Sequence, residues 1–460
     1  MPRTLQTFRR LIPAHALRVY FRRYRQRQHV RPWALAVPVL VLLIALPMLR
    51  PLRHPDPRTM SHDEAARLAT VQSLVERHTL AIRPSAIFDT DRIVKINNRF
   101  YSDQPPALAV MLAGVYWILK AIGGLTFDNS PVLVPYLLTL AGSTLPAAGA
   151  AGLVYRMGRM LELRRTWRTA LAAVVVFGSG MIAYATTINP YAPAATLVLG
   201  AAASLIHVSR SLRPHRQGGW LALGGLCAAL AAVIEPTTLV ILLGLPLVIW
   251  GMRWRRSLRL GGVMLYMIGA LAPLVLHAKM VVPVTGDIRP AAWHPELTAN
   301  PDDDDSPPDW WDTVTHELNH IMRRSLGVHG LLTHYPVLIF GIIGIGAVMV
   351  RHWPATTKAL AVVTLASATI PLLFGPSTEG EAMYGPWWFM AIAPLLAFWI
   401  AAFLRRGHTP AVWGLAAALL AFSVIVSLFG TIDCARRGGL DGYSPVEVLR
   451  SPGPERRLGM

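Results

Sequence analysis

Residues 99–124 read RFYSDQPPALAVMLAGVYWILKAIGG. Whether the apolar part of this stretch crosses a membrane decides the fold. Segment 106–123 is close to the length a span needs, about 20 residues. Yet it opens on Pro105-Pro106, closes on Gly123-Gly124 and carries Lys120. A Pro pair is good punctuation for a helix start, so a helix is expected whichever way it lies.

The rest of the chain arbitrates. Of 460 residues, 53% are hydrophobic and only 15% charged. Soluble domains carry about 25% charged residues, so lipid must be part of this chain's solvent. Apolar segments fit to span occur at 33–49, 131–154, 168–187, 191–208, 219–235, 236–252, 260–282, 334–350, 358–375, 386–404 and 411–430. Glu235-Pro236 divides the run 219–252 into a hairpin, and Ile188-Asn189-Pro190 makes a similar short turn.

Charge then fixes the parity. If 106–123 does not span, every basic connection falls on one side. These are Arg156 to Arg168, Arg210/Arg213/Arg216, Arg253 to Arg259, Arg351/Lys358 and Arg405/Arg406. The acidic connections, with Glu235, Asp302–Asp305 and Glu379/Glu381, fall on the other. The expectation is an all-α polytopic membrane protein with about eleven transmembrane helices. It adds a non-spanning juxtamembrane helix at 106–123 and a partly helical extracytoplasmic cap. A basic cytoplasmic segment 1–32 precedes a membrane domain 33–430 with outer loops 50–130 and 283–333. The tail 431–460 is expected outside.

The formal charge of +19 does not point to nucleic acid. Nine Arg and no acidic residue lie in 1–32, directly before the first span. A basic block there is a topology signal and a contact for anionic lipid. No small-x-small cleavage pattern follows the first apolar run, so a retained span is expected rather than a signal peptide. The two cysteines, Cys227 and Cys434, read as isolated thiols and not as a disulfide framework.

Chemistry concentrates in the outer loops. Ser61-His62-Asp63-Glu64 follows the first span and opens a helix read over 63–82. One carboxylate of such a pair can accept a proton from an attacking group while its neighbour orients a partner. The plain alternative is a helix cap, since carboxylates are favoured at a helix N-terminus. Tyr101-Ser102-Asp103-Gln104-Pro105-Pro106 places a second carboxylate at the start of the interfacial helix, and capping is again the simple reading.

Together the two motifs carry more than either alone. One span, Asp63-Glu64, a helix, then Tyr101-Ser102-Asp103-Gln104-Pro105-Pro106 and a flat helix resembles the GT-C superfamily of membrane glycosyltransferases. The nearest branch is that of protein O-mannosyltransferases and aminoarabinose transferases. Asn189-Pro190-Tyr191, the glycine-rich 327–336 and Tyr384-Gly385-Pro386-Trp387-Trp388 look like later elements of that family. The resemblance implies transfer of a hexosyl or pentosyl group from a polyprenyl-phosphate donor to an extracytoplasmic lipid, glycan or protein, with inversion. Asp63 would be the base and Glu64 its support. Tyr101, Asp103 and Gln104 would bind donor or acceptor. Gln104 and Trp387 depart from the family, which often has Lys and Arg there. The duty of meeting the donor phosphate then passes to Arg92, Lys95, Arg99, Arg323 or Arg324. The implied location is a bacterial inner membrane with the N-terminus cytoplasmic and the C-terminus outside.

Three other readings stay open. His316-Glu317-Leu318-Asn319-His320 satisfies HExxH, the zinc motif of metalloproteases. The loop that holds it is short for a protease domain and would need a third ligand. A divalent cation held by Asp103, His316 or His320 is the intermediate reading, and a plain surface helix the simplest. A transporter or flippase would show repeated halves and midplane polar groups, neither of which is evident. A catalytically inactive scaffold of the same family would explain Gln104 and Trp387. Asp302–Asp305 reads as a solvated loop, and Glu235 and Lys279 as groups snorkelling from span ends.

Overall fold

The computed structural model describes residues 31–56, 60–82, 90, 92–210, 217–252, 256–294, 319–327, 330–374, 384–405 and 408–432. Most of the basic segment 1–32, Asp302–Asp305, His316, Glu317, Glu379, Glu381 and the tail beyond 432 lie outside the described residues.

The expected spans appear as helical segments, several of them short or broken. The elements are α1 Arg31–Met48, α2 His62–Arg77, β1 Ile93–Ile96, β2 Arg99–Ser102, α3 Pro106–Gly123, α4 Leu133–Thr139, α5 Leu145–Met160 and α6 Arg165–Ala173. They continue with α7 Tyr191–Arg210, α8 Gln217–Ile234, α9 Leu239–Trp250, α10 Arg256–Thr285, α11 Ile339–Val350, α12 Ala355–Phe374, α13 Ala393–Phe398, α14 Ile400–Leu404 and α15 Pro410–Ile432. Among the described residues, eight helical stretches are long and apolar enough to cross a membrane by length and composition, α3 included. The other expected spans are shorter or broken helices. The segment 168–187, for example, runs through α6, a π-turn Val174–Gly178 and a short 3-10 turn Ala183–Ala185.

Packing decides how α3 lies. Gln104, just before α3, reaches Asp63 at the start of α2, and the Tyr116 hydroxyl donates to Glu76 Oε1 at 2.6 Å near the end of α2. The two helices therefore run side by side at one depth. If α3 crossed the bilayer, α2 would carry Asp63, Glu64, Arg67, Glu76 and Arg77 across with it. Each charge at the bilayer centre costs roughly 2.5 kcal/mol or more. The opposite face of α3 exposes Met111, Trp117, Ile118 and Ile122, as a helix lying in the interface does.

The charge-parity arrangement is visible in the contacts. Met60, Leu68, Leu112 and Tyr116 of the cap share one buried cluster with Ile188, Val233, Ile234 and Ala391. The short turns at 188 and 235 thus sit at the cap end of the bundle. Arg53 donates to the carbonyls of Thr431 and Ile432, which returns the end of α15 to the exit of α1. Basic connections meet elsewhere: Arg405 pairs with Glu162 at 3.7 Å and lies over Trp353, and Arg168 lies over Tyr155. Within the bundle α8 and α10 touch backbone to backbone. A Cβ at Gly225 would lie 1.8 Å from the Tyr266 carbonyl oxygen, and one at Gly269 would lie 1.9 Å from that of Ala222. Small residues at such crossings let membrane helices approach closely.

One local expectation needs correction. The helix read over 63–82 ends at Arg77, because His78 turns left-handed at φ 56° and its N–H closes on the Ser73 carbonyl. The cap is partly helical, as expected. Strands β1 and β2 form an antiparallel hairpin with Val94 opposite Tyr101 and Ile96 opposite Arg99. Asn97 and Asn98 between them take φ of 49° and 62°. Two left-handed residues in a two-residue loop match the twist of the flanking strands, and Asn tolerates that conformation best after Gly.

Candidate active site

Helix α2 presents the first carboxylate. Ser61 caps it, its Oγ accepting the Glu64 N–H at 3.3 Å. Asp63 therefore stands in the first turn, where the helix dipole favours negative charge. The hairpin presents the second. β2 ends at Ser102 and α3 begins at Pro106, so Asp103 sits at the bend between them. The Asp103 N–H donates to the Arg92 carbonyl at 3.3 Å, which closes the open end of the hairpin.

Arg92 joins the two carboxylates. Its Nε lies 3.2 Å from Asp63 Oδ1 and its Nη1 3.5 Å from Asp103 Oδ2. Gln104 Nε2 donates to the same Asp63 Oδ1 at 3.4 Å, and Arg67 Nη2 donates to Gln104 Oε1 at 2.6 Å. Arg67 Nη1 also reaches the Asp63 carbonyl at 3.3 Å. The Arg92 side chain remains 42% exposed and that of Asp63 17%, so both can meet a ligand. Burial pushes the Asp103 carboxyl above the usual range; neighbouring Asp63 adds to this, while Arg92, the Gln104 hydrogen bond and Arg67 oppose it.

Glu64 goes to different partners. It is fully buried, 3.5 Å from Arg50 Nη1, and its Oε1 accepts the Ile188 N–H at 3.4 Å. The Arg50 N–H donates to the Thr186 carbonyl at 3.0 Å. Glu64 thereby ties α2 to the exit of α1 and to the 186–190 turn. Burial raises its carboxyl, with Arg50, the Ile188 N–H and Arg67 pulling the other way. Asn189 holds that turn, its Oδ1 accepting the N–H groups of Tyr191 and Ala192 at 3.1 and 3.2 Å to cap α7.

Of the other expected site residues, Tyr101 and Gln104 line an open groove. Thr70, Ser102 and Pro106 share that wall, and Met280, Val281, Val284 and Thr285 from the end of α10 face them. Lys95 and Arg99 stand exposed on the hairpin. Arg323 is exposed too, whereas Arg324 is buried and donates to the carbonyls of Leu372 and Leu373 at 3.0 and 2.7 Å, at the end of α12. Trp387 packs against Tyr191, ring centres 5.9 Å apart. His320 lies on a described helical segment, while His316 and Glu317 lie outside the described residues. Among the described residues no three His, Cys, Asp or Glu are grouped to hold a metal ion.

Sequence reasoning missed Arg67 and Arg50 and read Glu235 as a snorkelling group. Arg67 stands four residues after Asp63, the spacing that puts both on one helix face, and that signal was available. Arg50 reads as an ordinary span flank. Glu235 caps the short turn Pro236–Thr238. Its Oε1 accepts the N–H and hydroxyl of Thr237 at 3.4 and 3.0 Å.

No family model matches the chain, and no curated protein matches it in sequence. Solved structures do match. The apo oligosaccharyltransferase of Archaeoglobus fulgidus superposes with a TM-score of 0.55 at 13% identity, over 89% of this chain and 57% of that one. ArnT from Cupriavidus metallidurans bound to undecaprenyl phosphate gives 0.52 at 14%, over 85% and 63%. The Archaeoglobus enzyme AglB with an inhibitory peptide and dolichol-phosphate gives 0.51 at 12%, over 89% and 57%. A further structure of the archaeal enzyme holds Zn and sulfate. The chain spans less than two thirds of the length of these proteins. At these identities the likeness shows a shared membrane fold.

Proposed function

We propose that this chain, built on the GT-C fold, is a glycosyltransferase that moves a sugar from a polyprenyl-phosphate donor to an acceptor at the outer membrane face. The observation that carries the reading is the Asp63–Arg92–Asp103 bridge beside an amphipathic groove. The groove runs from the last turns of α10, where lipid is the solvent, to Gln104 beside Asp63. A donor whose tail lies along α10 would have its head next to the carboxylate.

The chemistry balances with these groups. Asp63 takes the proton of an acceptor hydroxyl or amine as its lone pair attacks the anomeric carbon. The bond from that carbon to the phosphate oxygen breaks, and polyprenyl phosphate leaves with the electron pair. Attack opposite the leaving group inverts the anomeric centre. Arg92, the most exposed cation of the network, is suited to meet the phosphate as it gains charge, with Lys95 and Arg99 on the same hairpin. Asp103 holds Arg92 in place. Glu64 anchors the loop through Arg50. ArnT with undecaprenyl phosphate and AglB with dolichol-phosphate are the neighbours whose ligands support a lipid-phosphate donor.

Purified protein in lipid, given a panel of polyprenyl-phosphate sugars, tests the reading. General-base catalysis contributes roughly 10²–10⁴-fold, so Asp63→Asn should lose transfer by about that factor. If Asp63→Asn transfers sugar as fast as wild type, Asp63 is not the base.

A further inference from the structure

We infer that Arg67 is a positioning residue: it fixes the amide of Gln104 and, through it, the orientation of the Asp63 carboxylate. The inference rests on the reading of Asp63 as the base. A glutamine amide is two-faced, with an acceptor oxygen and a donor nitrogen of nearly equal size. Only its partners decide which end points where. Here both partners agree. Arg67 can only donate, so the end 2.6 Å from its Nη2 must be oxygen. Asp63 as a carboxylate can only accept, so the end 3.4 Å from its Oδ1 must be nitrogen.

Arg67 is itself held. Its side chain is buried, 3% exposed, and its Nη1 donates to the Asp63 carbonyl at 3.3 Å, one helical turn back. Neither of these partners is a carboxylate, and among the described residues no carboxylate forms an ion pair with it. Its charge is balanced at longer range by the Glu64 and Asp103 carboxyls, so its direct hydrogen bonds are left for the Asp63 carbonyl and the Gln104 amide. The result bears on chemistry. Asp63 Oδ1 takes both Gln104 Nε2 and Arg92 Nε, which leaves Oδ2 without a protein partner among the described residues. That oxygen is the one free to accept a proton. Were the Gln104 amide reversed, its oxygen would face Asp63 Oδ1 and turn the carboxylate away.

The test is a double-mutant cycle at positions 67 and 104, read in two ways. Arg67→Met should lower kcat at least tenfold, with the donor KM changed less than threefold. In a Gln104→Leu background there is no amide left to orient, so Arg67→Met should cost less than threefold further in kcat. A merely structural Arg67 would cost as much there as beside Gln104, and that result overturns the inference. Thermal melting of the same four proteins needs no activity: the losses from Arg67→Met and Gln104→Leu should be less than additive, and additive losses again overturn it. If melting shows the coupling while wild type transfers no sugar, the amide-fixing role stands and the glycosyltransferase reading falls.

Discussion

The buried pair Arg50–Glu64 makes an unequal prediction about its two halves. Both side chains are almost fully buried, 5% and 0% exposed, at 3.5 Å. Removing one partner of a buried pair costs about 3–5 kcal/mol because the other charge stays behind. The two left-over charges differ, though. Arginine cannot shed its proton; a carboxyl can. Glu64→Ala leaves a guanidinium that has lost its buried carboxylate, and the Ile188 N–H loses its acceptor. A loss of about 3–5 kcal/mol at any pH between 5 and 8 follows. Arg50→Met leaves Glu64, whose carboxyl burial already pushes above 4.5. It can escape by holding a proton. Keeping that proton against an ordinary carboxyl in the unfolded chain costs about 3.4 kcal/mol at pH 7 and about 1.4 kcal/mol at pH 5.5. The sign is that of an acid with a raised folded pKa: stability is full below the unfolded value and is lost as pH rises. Melting of the purified protein in detergent at pH 5.5 and 7, followed by tryptophan fluorescence, reads both variants. Arg50→Met should recover markedly at pH 5.5, Glu64→Ala should not, and Arg50→Met with Glu64→Met should be milder than Glu64→Ala. An Arg50→Met deficit that is the same at both pH values would refute the reasoning.

Asp103→Asn should raise the melting temperature at neutral pH, since burial and Asp63 disfavour the ionised carboxyl. The gain should vanish toward about pH 4, where Asp is protonated in the unfolded chain too. Arg324→Met should weaken the end of α12 by about 1.5–3 kcal/mol, the worth of hydrogen bonds from a charged group, while donor KM at permissive temperature stays at the wild-type value. A large KM rise would instead place Arg324 at the donor phosphate. Gly225→Ala should destabilise the bundle by several degrees in melting, because its Cβ would meet the Tyr266 carbonyl at 1.8 Å. A melting curve like wild type would show that α8 and α10 can separate freely.

The membrane fold was legible because its causes act along the chain. Span length follows from bilayer thickness, and side follows from the Arg count of each connection. That reasoning puts 106–123 beside the cap, and the Tyr116–Glu76 bond expresses it. The hairpin was legible but unread: Asn97-Asn98 between Ile93-Val94-Lys95-Ile96 and Arg99-Phe100-Tyr101 is a turn signal flanked by strand-forming residues.

Composition, periodicity and charge by themselves determined the polytopic all-α class, the turns at 188 and 235, and the two acidic motifs of the first loop. They could rank Asp63 and Asp103 as candidates, but not say what stands between them. Only the tertiary structure put Arg92 there, sent Glu64 to Arg50 rather than to the site, turned Arg324 onto the end of α12, and brought Arg67 behind Gln104. The physical reason is that hydrophobic pattern and charge parity are properties of segments, whereas an ion pair depends on a few ångströms between side chains far apart in sequence. Segment 106–123 shows both at once: its charge context laid it flat, and its contacts with α2 carried Gln104 to Asp63.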